Sequence, residues 1–237
     1  MDLGTARCVV TGATEGIGRA IAVALGKRGA RVAICSRTAT RVDETLHQLK
    51  DDGIAAVGQA CDVSSPESVA RFARFVAAEL GAPDVLINNA GVGHMAPLDQ
   101  LTLQQFDETF AVNVRGIFLV TRAFLPTMLE RRSGHIVNIA SLAGRNGFVG
   151  GTAYTASKHA VLGLSKSLML EVRDRNVRVI AICPGSVSTG FSSKASMRPG
   201  TSDRVLWPED VAHAVVATLE LPDHAMISEL DIRPTNP

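Results

Sequence analysis

The sequence predicts an α/β protein in which a doubly wound, seven-stranded parallel sheet carries helices on both faces. Two observations predict this fold. Short apolar runs rich in β-branched residues alternate along the chain with longer stretches of helical periodicity, which is typical of repeated strand–helix units. The composition, with 46% hydrophobic and 20% charged residues over 237 positions, is typical of a folded globular chain and provides enough apolar surface for one core.

Seven runs are candidate strands, and each is short and bounded by turn residues or by a helical stretch. They are Arg7–Thr11, Arg31–Ser36, Ile54–Cys61, Asp84–Asn88, His135–Ser141, Val177–Cys183 and Met226–Ile232. Right-handed crossovers between parallel strands place helices on both faces of the sheet and ligands in the crevice beyond the carboxyl ends of the strands. We therefore expect functional residues where these runs end.

The helical stretches have regular apolar spacing and recognisable ends. In the first stretch, one helix face carries three apolar residues, Ile17, Ile21 and Leu25. Ser65 before Pro66 predicts a helix that begins with an N-cap and a proline in its first turn. No Ser/Gly-rich linker interrupts the pattern, so we expect a single domain over residues 1–237. Within it, residues 188–207 are rich in Ser, Thr, Gly and Pro and form a candidate substrate lid.

Charge, cysteine and histidine patterns exclude several classes of function. The chain has 24 basic and 23 acidic residues, a formal net charge of +1 and no long run of one sign, so we expect no nucleic-acid partner. No stretch long enough to span a bilayer lacks a charged residue, and the N-terminus has no secretory pattern, so we expect a cytoplasmic protein without a membrane partner. The cysteines and histidines show no metal-ligand spacing, which predicts buried, reduced thiols and no metal site.

A glycine-rich turn follows the first candidate strand and leads into a helix. Its sequence is Thr11-Gly12-Ala13-Thr14-Glu15-Gly16-Ile17-Gly18. Glycine lets the backbone bend sharply and approach a pyrophosphate, while the free N–H groups and the dipole of a helix start favour an anion. The spacing differs from Gly-x-Gly-x-x-Gly, and a plain tight turn is the alternative interpretation. The pattern favours a dinucleotide site formed by Gly12, Thr14, Gly16, Ile17 and Gly18.

The end of the second candidate strand bears on the choice between NAD and NADP. In dinucleotide sites an acidic residue at this point binds the ribose 2′-hydroxyl, whereas an arginine accommodates a 2′-phosphate. The strand ends in Ser36 and Arg37, without an acid. Because a guanidinium is permanently charged and forked, these residues favour NADP(H) over NAD(H). Glu15 in the glycine turn argues against a further phosphate nearby, and a solvated Arg37 is the alternative.

Tyr154 and Lys158 form the most specific pair in the sequence. Tyr154 is the one tyrosine of the chain, and residues four apart on a helix share a face. An ammonium beside a phenol favours the phenolate, so we expect Lys158 to lower the pKa of Tyr154 towards the range of proton exchange at neutral pH. Ser141, at the end of the fifth candidate strand, has a hydroxyl suited to bind a substrate oxygen, although a cap or turn serine is the alternative.

Taken in order, these motifs resemble those of the short-chain dehydrogenase/reductase family in its compact single-domain form, which has a Rossmann-type sheet. The resemblance runs from Arg7 to about Pro234. The resemblance adds further residues to those already named. It implies that Asp62 and Val63 contact the adenine and that Asn88-Asn89-Ala90-Gly91 is a sheet-stabilising motif on the adenine side. It also implies that Asn113 is an active-site asparagine and that Pro184-Gly185-Ser186-Val187-Ser188-Thr189 holds the nicotinamide carboxamide.

The resemblance also implies a role for each catalytic residue. Tyr154 would exchange a proton with the substrate oxygen, and Ser141 would orient that oxygen. Lys158 would hold the nicotinamide ribose and depress the tyrosine pKa, while Asn113 would position a water that links the lysine to solvent. The implied reaction is hydride transfer between NADP(H) and a carbonyl or secondary alcohol, with the cofactor performing the difficult chemistry.

Several alternatives stay open at this point. A 3-oxoacyl thioester reductase is the alternative within the family, and a dinucleotide-binding sensor without chemistry is the alternative outside enzymes. We expect the substrate to contact the loops at residues 93–95, 143–149 and 188–207. The resemblance implies a homodimer or homotetramer formed through the apolar helices within residues 101–132 and after Tyr154.

Overall fold

The computed structural model describes residues 1–191 and 204–236 and contains a parallel seven-stranded sheet. Its strands are β1 (Arg7–Thr11), β2 (Arg31–Ser36), β3 (Ala56–Ala60), β4 (Val85–Asn88), β5 (Gly134–Ile139), β6 (Val177–Pro184) and β7 (Glu229–Ile232). Their order across the sheet is β3-β2-β1-β4-β5-β6-β7. The chain therefore winds outward in two directions from β1, which is the doubly wound arrangement predicted from the sequence.

All seven predicted strands are present, and the differences lie at their ends. The fifth prediction extends to Ser141, whereas β5 ends at Ile139. The chain turns there because the Ser141 hydroxyl accepts a hydrogen bond from the Ala143 N–H (3.1 Å), opening a short 3₁₀ turn. The last prediction begins at Met226, but pairing with β6 begins at Glu229.

The helices between the strands cover both faces of the sheet. They are α1 (Gly16–Gly26), α2 (Ala39–Asp51), α3 (Pro66–Glu79), α4 (Leu103–Phe110), α5 (Gly116–Arg131), α6 (Thr152–Val172) and α7 (Pro208–Leu219). The predicted start of α3 is confirmed, because the Ser65 hydroxyl accepts a hydrogen bond from the Ser68 N–H (3.2 Å) and Pro66 is the first helical residue. The start of α3 thus lies where its local sequence signals predict.

Alternate residues of β1 pack into two different core clusters. In β1, Val10 belongs to the core beneath α1 and α7, and Val9 to the core beneath α3 and α5. Ile21 of α1 fills the first core, and the rings of Phe72 and Phe124 meet edge to face in the second, 6.3 Å apart. A strand buried on both faces needs apolar residues at successive positions, which explains the continuous hydrophobic runs in the sequence.

The helices α4 and α5 are joined by a π-helical turn, Ala111–Arg115, into one helical stretch over Leu103–Arg131. By length and composition alone this stretch could cross a membrane, a test that the core helix of a folded domain also passes. Nearly half of its most apolar part is buried in the fold, where Phe124 and Met128 reach the core. Its outer face leaves Leu103, Phe106 and Phe118 exposed.

Charged side chains close the amino edge of the sheet. Asp84, just before β4, accepts hydrogen bonds from the backbone N–H, Nε and Nη2 of Arg7 and from Nη1 of Arg131, at 2.8–3.0 Å. Between β5 and β6, Arg178 Nη1 lies 3.0 Å from His135 Nε2, and both side chains are buried. These contacts join neighbouring strands at the amino edge of the sheet.

All four cysteines, Cys8, Cys35, Cys61 and Cys183, are buried and free. Their burial is the one predicted from the apolar runs that contain them.

Candidate active site

The carboxyl ends of the strands border a cleft of about 740 Å³. Most predicted site residues line it: Gly12, Thr14, Gly16, Ile17, Ser36, Arg37, Asp62, Val63, Asn89, Ala90, Gly91, Ser141, Tyr154, Lys158, Pro184, Gly185, Val187 and Thr189. Gly18 and Asn113 are not among the lining residues. Parallel strands bring their ends to one edge, which is why residues scattered over the chain meet here.

The glycine turn lies against the end of β4. Gly12 has a φ of +63°, and a Cβ at this position would lie 2.8 Å from the Ala90 Cα. Gly18 is buried behind the turn, where a Cβ would overlap the Asn89 side-chain nitrogen and the Gly12 carbonyl. Both glycines thus permit a close approach of backbone to backbone, and Gly18 contributes packing rather than a wall of the cleft.

Thr11 and Asn89 hold the turn in place. The Thr11 hydroxyl accepts hydrogen bonds from the N–H groups of Asn89 (3.0 Å) and Ala90 (3.1 Å). In return, Asn89 Nδ2 donates to the carbonyls of Thr11 and Gly12, both at 3.0 Å. Behind them, Asn88 Nδ2 donates to Asn138 Oδ1 (2.8 Å) in the core. The asparagine motif therefore fixes the glycine turn to the middle of the sheet.

The start of α1 can receive an anion. Glu15 precedes the helix but its side chain does not cap it, and the first turn contains no acidic residue. The Glu15 carboxylate instead lies 3.3 Å from Arg41 Nη1 of α2. A helix start that opens onto a glycine-lined cleft presents N–H groups and a positive dipole to a phosphate. These residues fit the pyrophosphate of a dinucleotide.

The wall beyond β3 is formed by Asp62 and Val63. Asp62 Oδ1 accepts hydrogen bonds from the backbone N–H (2.9 Å) and the hydroxyl (2.7 Å) of Ser64. The Asp62 N–H donates to the Ser68 hydroxyl at the start of α3 (3.1 Å). The side chain at this predicted adenine-side position is therefore held in one orientation.

Arg37 is paired with an acid that sequence reasoning did not find. Its Nη1 lies 3.3 Å from Glu108 Oε1 of α4, and Glu108 Oε2 lies 2.9 Å from His94 Nε2. The contacts with His94 and then Arg37 hold the pKa of Glu108 below its usual value. Arg37 remains more than half exposed, so the pair leaves much of its guanidinium open to solvent and to a ligand.

Tyr154 and Ser141 meet across the cleft. Tyr154 lies in the first turn of α6, and its side chain and that of Ser141 both line the cleft. The ring centroid of Phe191 lies 5.7 Å from that of Tyr154, which gives this end of the cleft an apolar wall. Burial raises the pKa of Tyr154 above its usual value, and the nearby Ser141 side chain lowers it only in part.

The structure therefore corrects the expectation that Lys158 depresses the pKa of Tyr154. Lys158 Nζ lies 5.7 Å from the centroid of the tyrosine ring and donates a hydrogen bond to the Ile139 carbonyl at 2.8 Å. Spacing predicts that the two side chains share a face, but it does not reveal that the phenol is desolvated, which disfavours its charged form. At neutral pH the phenol is a protonated donor.

Burial also acts on the lysine. It lowers the pKa of Lys158 to about 8, while the nearby Cys183 acts in the opposite direction. The side chain is therefore still mostly an ammonium at pH 7, and it loses its charge as the pH rises through about 8.

The Asn113 side chain lies behind the cleft wall rather than in the cleft. Its Oδ1 accepts a hydrogen bond from the Val92 N–H (2.8 Å), and its Nδ2 donates to the Val92 carbonyl (2.9 Å) and to the Ser157 hydroxyl (3.0 Å). Ser157 in turn donates to the Tyr154 carbonyl (2.7 Å). The π-helical turn thus ties the loop after β4 to the start of α6. The water-positioning role expected for Asn113 stays a prediction.

The segment after β6 closes the far side of the cleft. The Gly185 N–H donates to the Ile232 carbonyl of β7 (2.8 Å), and Val187 pairs with Leu206 as an isolated bridge. The Thr189 hydroxyl accepts a hydrogen bond from the Phe191 N–H (3.3 Å). Of the candidate lid at 188–207, residues 192–203 lie outside the described part of the chain, so closure over substrate stays a prediction.

Three charged residues that bear on the site were missed by sequence reasoning. Arg41 forms an ion pair with Glu15, and Glu108 forms one with Arg37. Arg145, to which the sequence assigns no role, forms ion pairs with β7. Their partners are 26, 71 and 86 positions away in the chain. No local pattern could have found them, because long-range pairing depends on the fold.

Comparisons with known proteins agree with this site. The family model described as short chain dehydrogenase matches residues 6–199. An uncharacterized oxidoreductase of Staphylococcus aureus (strain USA300) is 35% identical over 226 residues, which cover 95% of this chain and 96% of the relative.

Two solved structures are similar over nearly the whole chain. An alcohol dehydrogenase from the archaeon Thermococcus sibiricus, complexed with 5-hydroxy-NADP, has a TM-score of 0.90 at 31% identity. A variant of actinorhodin polyketide ketoreductase with NADPH has a TM-score of 0.89 at 33% identity. In each case the match covers 98% of this chain and 97% of the other.

The fold, the cleft at the carboxyl edge and the family match define the class of protein. The chain belongs to the short-chain dehydrogenase family and is an oxidoreductase with a Rossmann-type sheet.

Proposed function

We propose that this protein transfers a hydride between NADP(H) and the carbonyl or secondary alcohol carbon of a small molecule. The observation that carries the proposal is that Ser141, Tyr154 and Lys158 line the same cleft as the glycine turn. A pure dinucleotide binder needs only the glycine turn. The catalytic arrangement therefore disfavours the alternative of a sensor without chemistry.

Each side chain has a distinct part in the reaction. A bound nicotinamide dinucleotide supplies or accepts the hydride. In reduction, Tyr154 donates its phenolic proton to the substrate oxygen, and the raised pKa keeps that proton in place at neutral pH. Ser141 donates a hydrogen bond to the same oxygen, where negative charge develops. The Lys158 ammonium contributes positive charge beside the phenol and a donor for the nicotinamide ribose.

We propose NADP(H) rather than NAD(H) as the cofactor because the residues beyond β2 carry positive charge and no acid follows the strand. Arg37 and Arg41 both line the cleft there. In the sequence, Glu15 argued against a further phosphate nearby. In the structure its carboxylate lies 3.3 Å from Arg41 Nη1, so the arginine offsets its negative charge. The two similar structures hold 5-hydroxy-NADP and NADPH, which agrees with this choice. The cofactor contacts then follow the predicted set, from Gly12 to Thr189.

Within the family, a 3-oxoacyl thioester reductase is the second candidate. The similarity to a polyketide ketoreductase favours it. The described part of the substrate end is lined by Met95, Leu142, Phe148 and Phe191, which suits an apolar group beside the carbonyl in either case.

The remaining expectations are proposals of the same kind. We propose one catalytic domain over residues 1–237, a cytoplasmic location, and no nucleic-acid or membrane partner. We also propose a homodimer or homotetramer, because exposed Leu103, Phe106 and Phe118 on the outer face of α4 and α5 form an apolar surface in the single chain.

Replacement of Tyr154 by Phe tests the proposed function. We expect kcat for ketone reduction to fall by about 10³-fold, because the proton donor is lost while the ring is kept. Turnover is measured from NADPH absorbance over a panel of ketones, aldehydes and 3-oxoacyl thioesters, and NADPH binding by fluorescence titration serves as the control. A variant that binds NADPH and reduces a substrate as fast as the wild type would contradict the proposal.

A further inference from the structure

We propose that Arg145 is a positioning residue for Ser141: by pairing with two carboxylates of β7, it holds the turn that presents the Ser141 hydroxyl to Tyr154. The inference rests on the proposed function, since it concerns how one member of the catalytic group is held. Arg145 does not line the cleft and touches neither Tyr154 nor Lys158 in the described contacts. It acts only through the turn.

The turn is a compact unit. The Ala143 N–H donates to the Ser141 hydroxyl (3.1 Å), and the Gly144 N–H donates to the Ser141 carbonyl (2.9 Å). The Arg145 N–H donates to the Leu142 carbonyl (2.9 Å). The direction of the Ser141 hydroxyl is thereby coupled to the orientation of the whole turn, from Ser141 to Arg145.

The turn has two flanks with different support. On one flank it continues β5 and lies against α6, where a Cβ at Gly144 would be 2.8 Å from the Lys158 carbonyl. On the other flank residues 145–149 are all exposed, so the core holds none of them. The Arg145 side chain is the described charged contact that fixes this second flank.

Arg145 reaches over β6 to the edge strand. Its Nε lies 2.6 Å from Asp231 Oδ1, and its Nη2 lies 2.7 Å from Glu229 Oε2. The strand that carries both carboxylates is itself fixed, because Asp231 pairs with Cys183 in the sheet. One forked guanidinium between two carboxylates on a paired strand has a defined direction, which a single ammonium would not have.

The partners of these ion pairs are partly exposed. Arg145 is 31% exposed and Asp231 32%, so water screens the pairs in part. An isolated exposed ion pair contributes little to stability. We therefore expect the loss of Arg145 to change the position of the turn more than it changes the stability of the fold.

A double-mutant cycle between Arg145→Met and Ser141→Ala tests the inference. We expect Ser141→Ala to lower kcat for ketone reduction by about 10²-fold. Arg145→Met should lower it by roughly 10-fold, as expected for a misplaced catalytic group, with the KM for NADPH unchanged within about two-fold. The double variant should be no slower than Ser141→Ala alone, since Arg145 has no effect once the hydroxyl is gone.

Lys166→Met is the matched control. Lys166 Nζ approaches Glu229 to 3.5 Å but has no link to the turn, so we expect its kcat to equal that of the wild type. Asp231→Asn, which weakens the same contact from the other side, should lower kcat in the same direction as Arg145→Met but by less. Thermal unfolding of each variant identifies a loss of folding.

The outcomes separate the two proposals. If Ser141→Ala is impaired but Arg145→Met and Asp231→Asn turn over like the wild type, the inference is wrong and the proposed function stands. A double variant that is a further 10-fold slower than Ser141→Ala would also overturn it, because Arg145 would then act by another route. If Ser141→Ala is as fast as the wild type, the proposed role of Ser141 fails, and the inference with it.

Discussion

The two edges of the sheet use charged side chains in different ways. At the amino edge, the Asp84 carboxylate accepts four hydrogen bonds from Arg7 and Arg131, so its capacity is filled by the protein. At the carboxyl edge, the Lys158 ammonium has three N–H donors. Among the described residues they have one hydrogen-bond acceptor, the Ile139 carbonyl.

This difference separates stability from chemistry. A carboxylate whose partners all belong to the protein stabilises the fold but cannot bind a ligand without breaking those contacts. An ammonium with donors to spare at a cleft can bind one. Two further side chains show the same contrast between a buried group and an accessible one. At the amino edge, burial and the nearby Arg178 lower the pKa of His135 to about 4. At the carboxyl edge, Arg37 is largely exposed.

Among the variants that test this comparison of the two edges, Lys158→Met should have the largest effect. We expect kcat for ketone reduction to fall by about 10²–10³-fold, because the variant keeps the length of the side chain but removes its charge and donors. Lys166→Met, on the exposed face of the same helix, is the control and should change kcat little. A Lys158→Met variant with more than half of the wild-type rate would remove the proposed distinction between the two edges.

The wild-type pH profile sharpens the same prediction. The charged form of Lys158 exists below its pKa of about 8, so kcat/KM for NADPH should fall as the pH rises through this value. The profile is measured from initial rates between pH 6 and 10. A value that stays constant to pH 10 would argue against a role for the ammonium.

Asp84→Asn should have the opposite signature. We expect the free energy of unfolding to fall by about 2 kcal/mol, since the charged acceptor of Arg7 and Arg131 is lost, with kcat of the folded protein unchanged. Burial raises the pKa of Asp84, but the hydrogen bonds from Arg7 and Arg131 lower it more, so the net shift is downward. The contribution of Asp84 is therefore present above its unfolded-state pKa of about 3.9 and is lost as the pH falls through the folded value.

Thermal unfolding at pH 7 and at pH 3 checks both parts of the Asp84 prediction. The difference in melting temperature between wild type and variant should be several degrees at pH 7 and smaller at pH 3. An equal difference at both pH values, or a large loss of kcat, would contradict a role of Asp84 that is confined to stability.

The smallest effect concerns the choice of cofactor. Arg37→Ala should raise the KM for NADPH by about 10-fold, because a charge-assisted contact to the 2′-phosphate is lost, while the KM for NADH changes little. Arg74→Ala, at an exposed arginine of α3 that does not line the cleft, serves as the control for general charge effects. Equal losses with NADPH and NADH would refute the phosphate role.

The strands and the pairing of Tyr154 with Lys158 could be predicted because their signals are local. Apolar runs mark strands buried on both faces, and a spacing of four places two side chains on one helix face. The direction of the Tyr154 pKa could not be predicted, since it depends on how far the phenol is buried by chain segments such as the one that carries Phe191. The position of the Asn113 side chain also depended on a distant partner, Val92.

The sequence by itself determined the class of fold, the glycine turn and the spacing of Tyr154 and Lys158, because each depends on residues close together in the chain. Only the tertiary structure decided which groups are desolvated and which charges are neutralised. The ion pairs of Arg37 with Glu108 and of Arg145 with Asp231 join residues 71 and 86 positions apart. Their formation depends on the order of the strands across the sheet, and no local pattern of residue types contains that order.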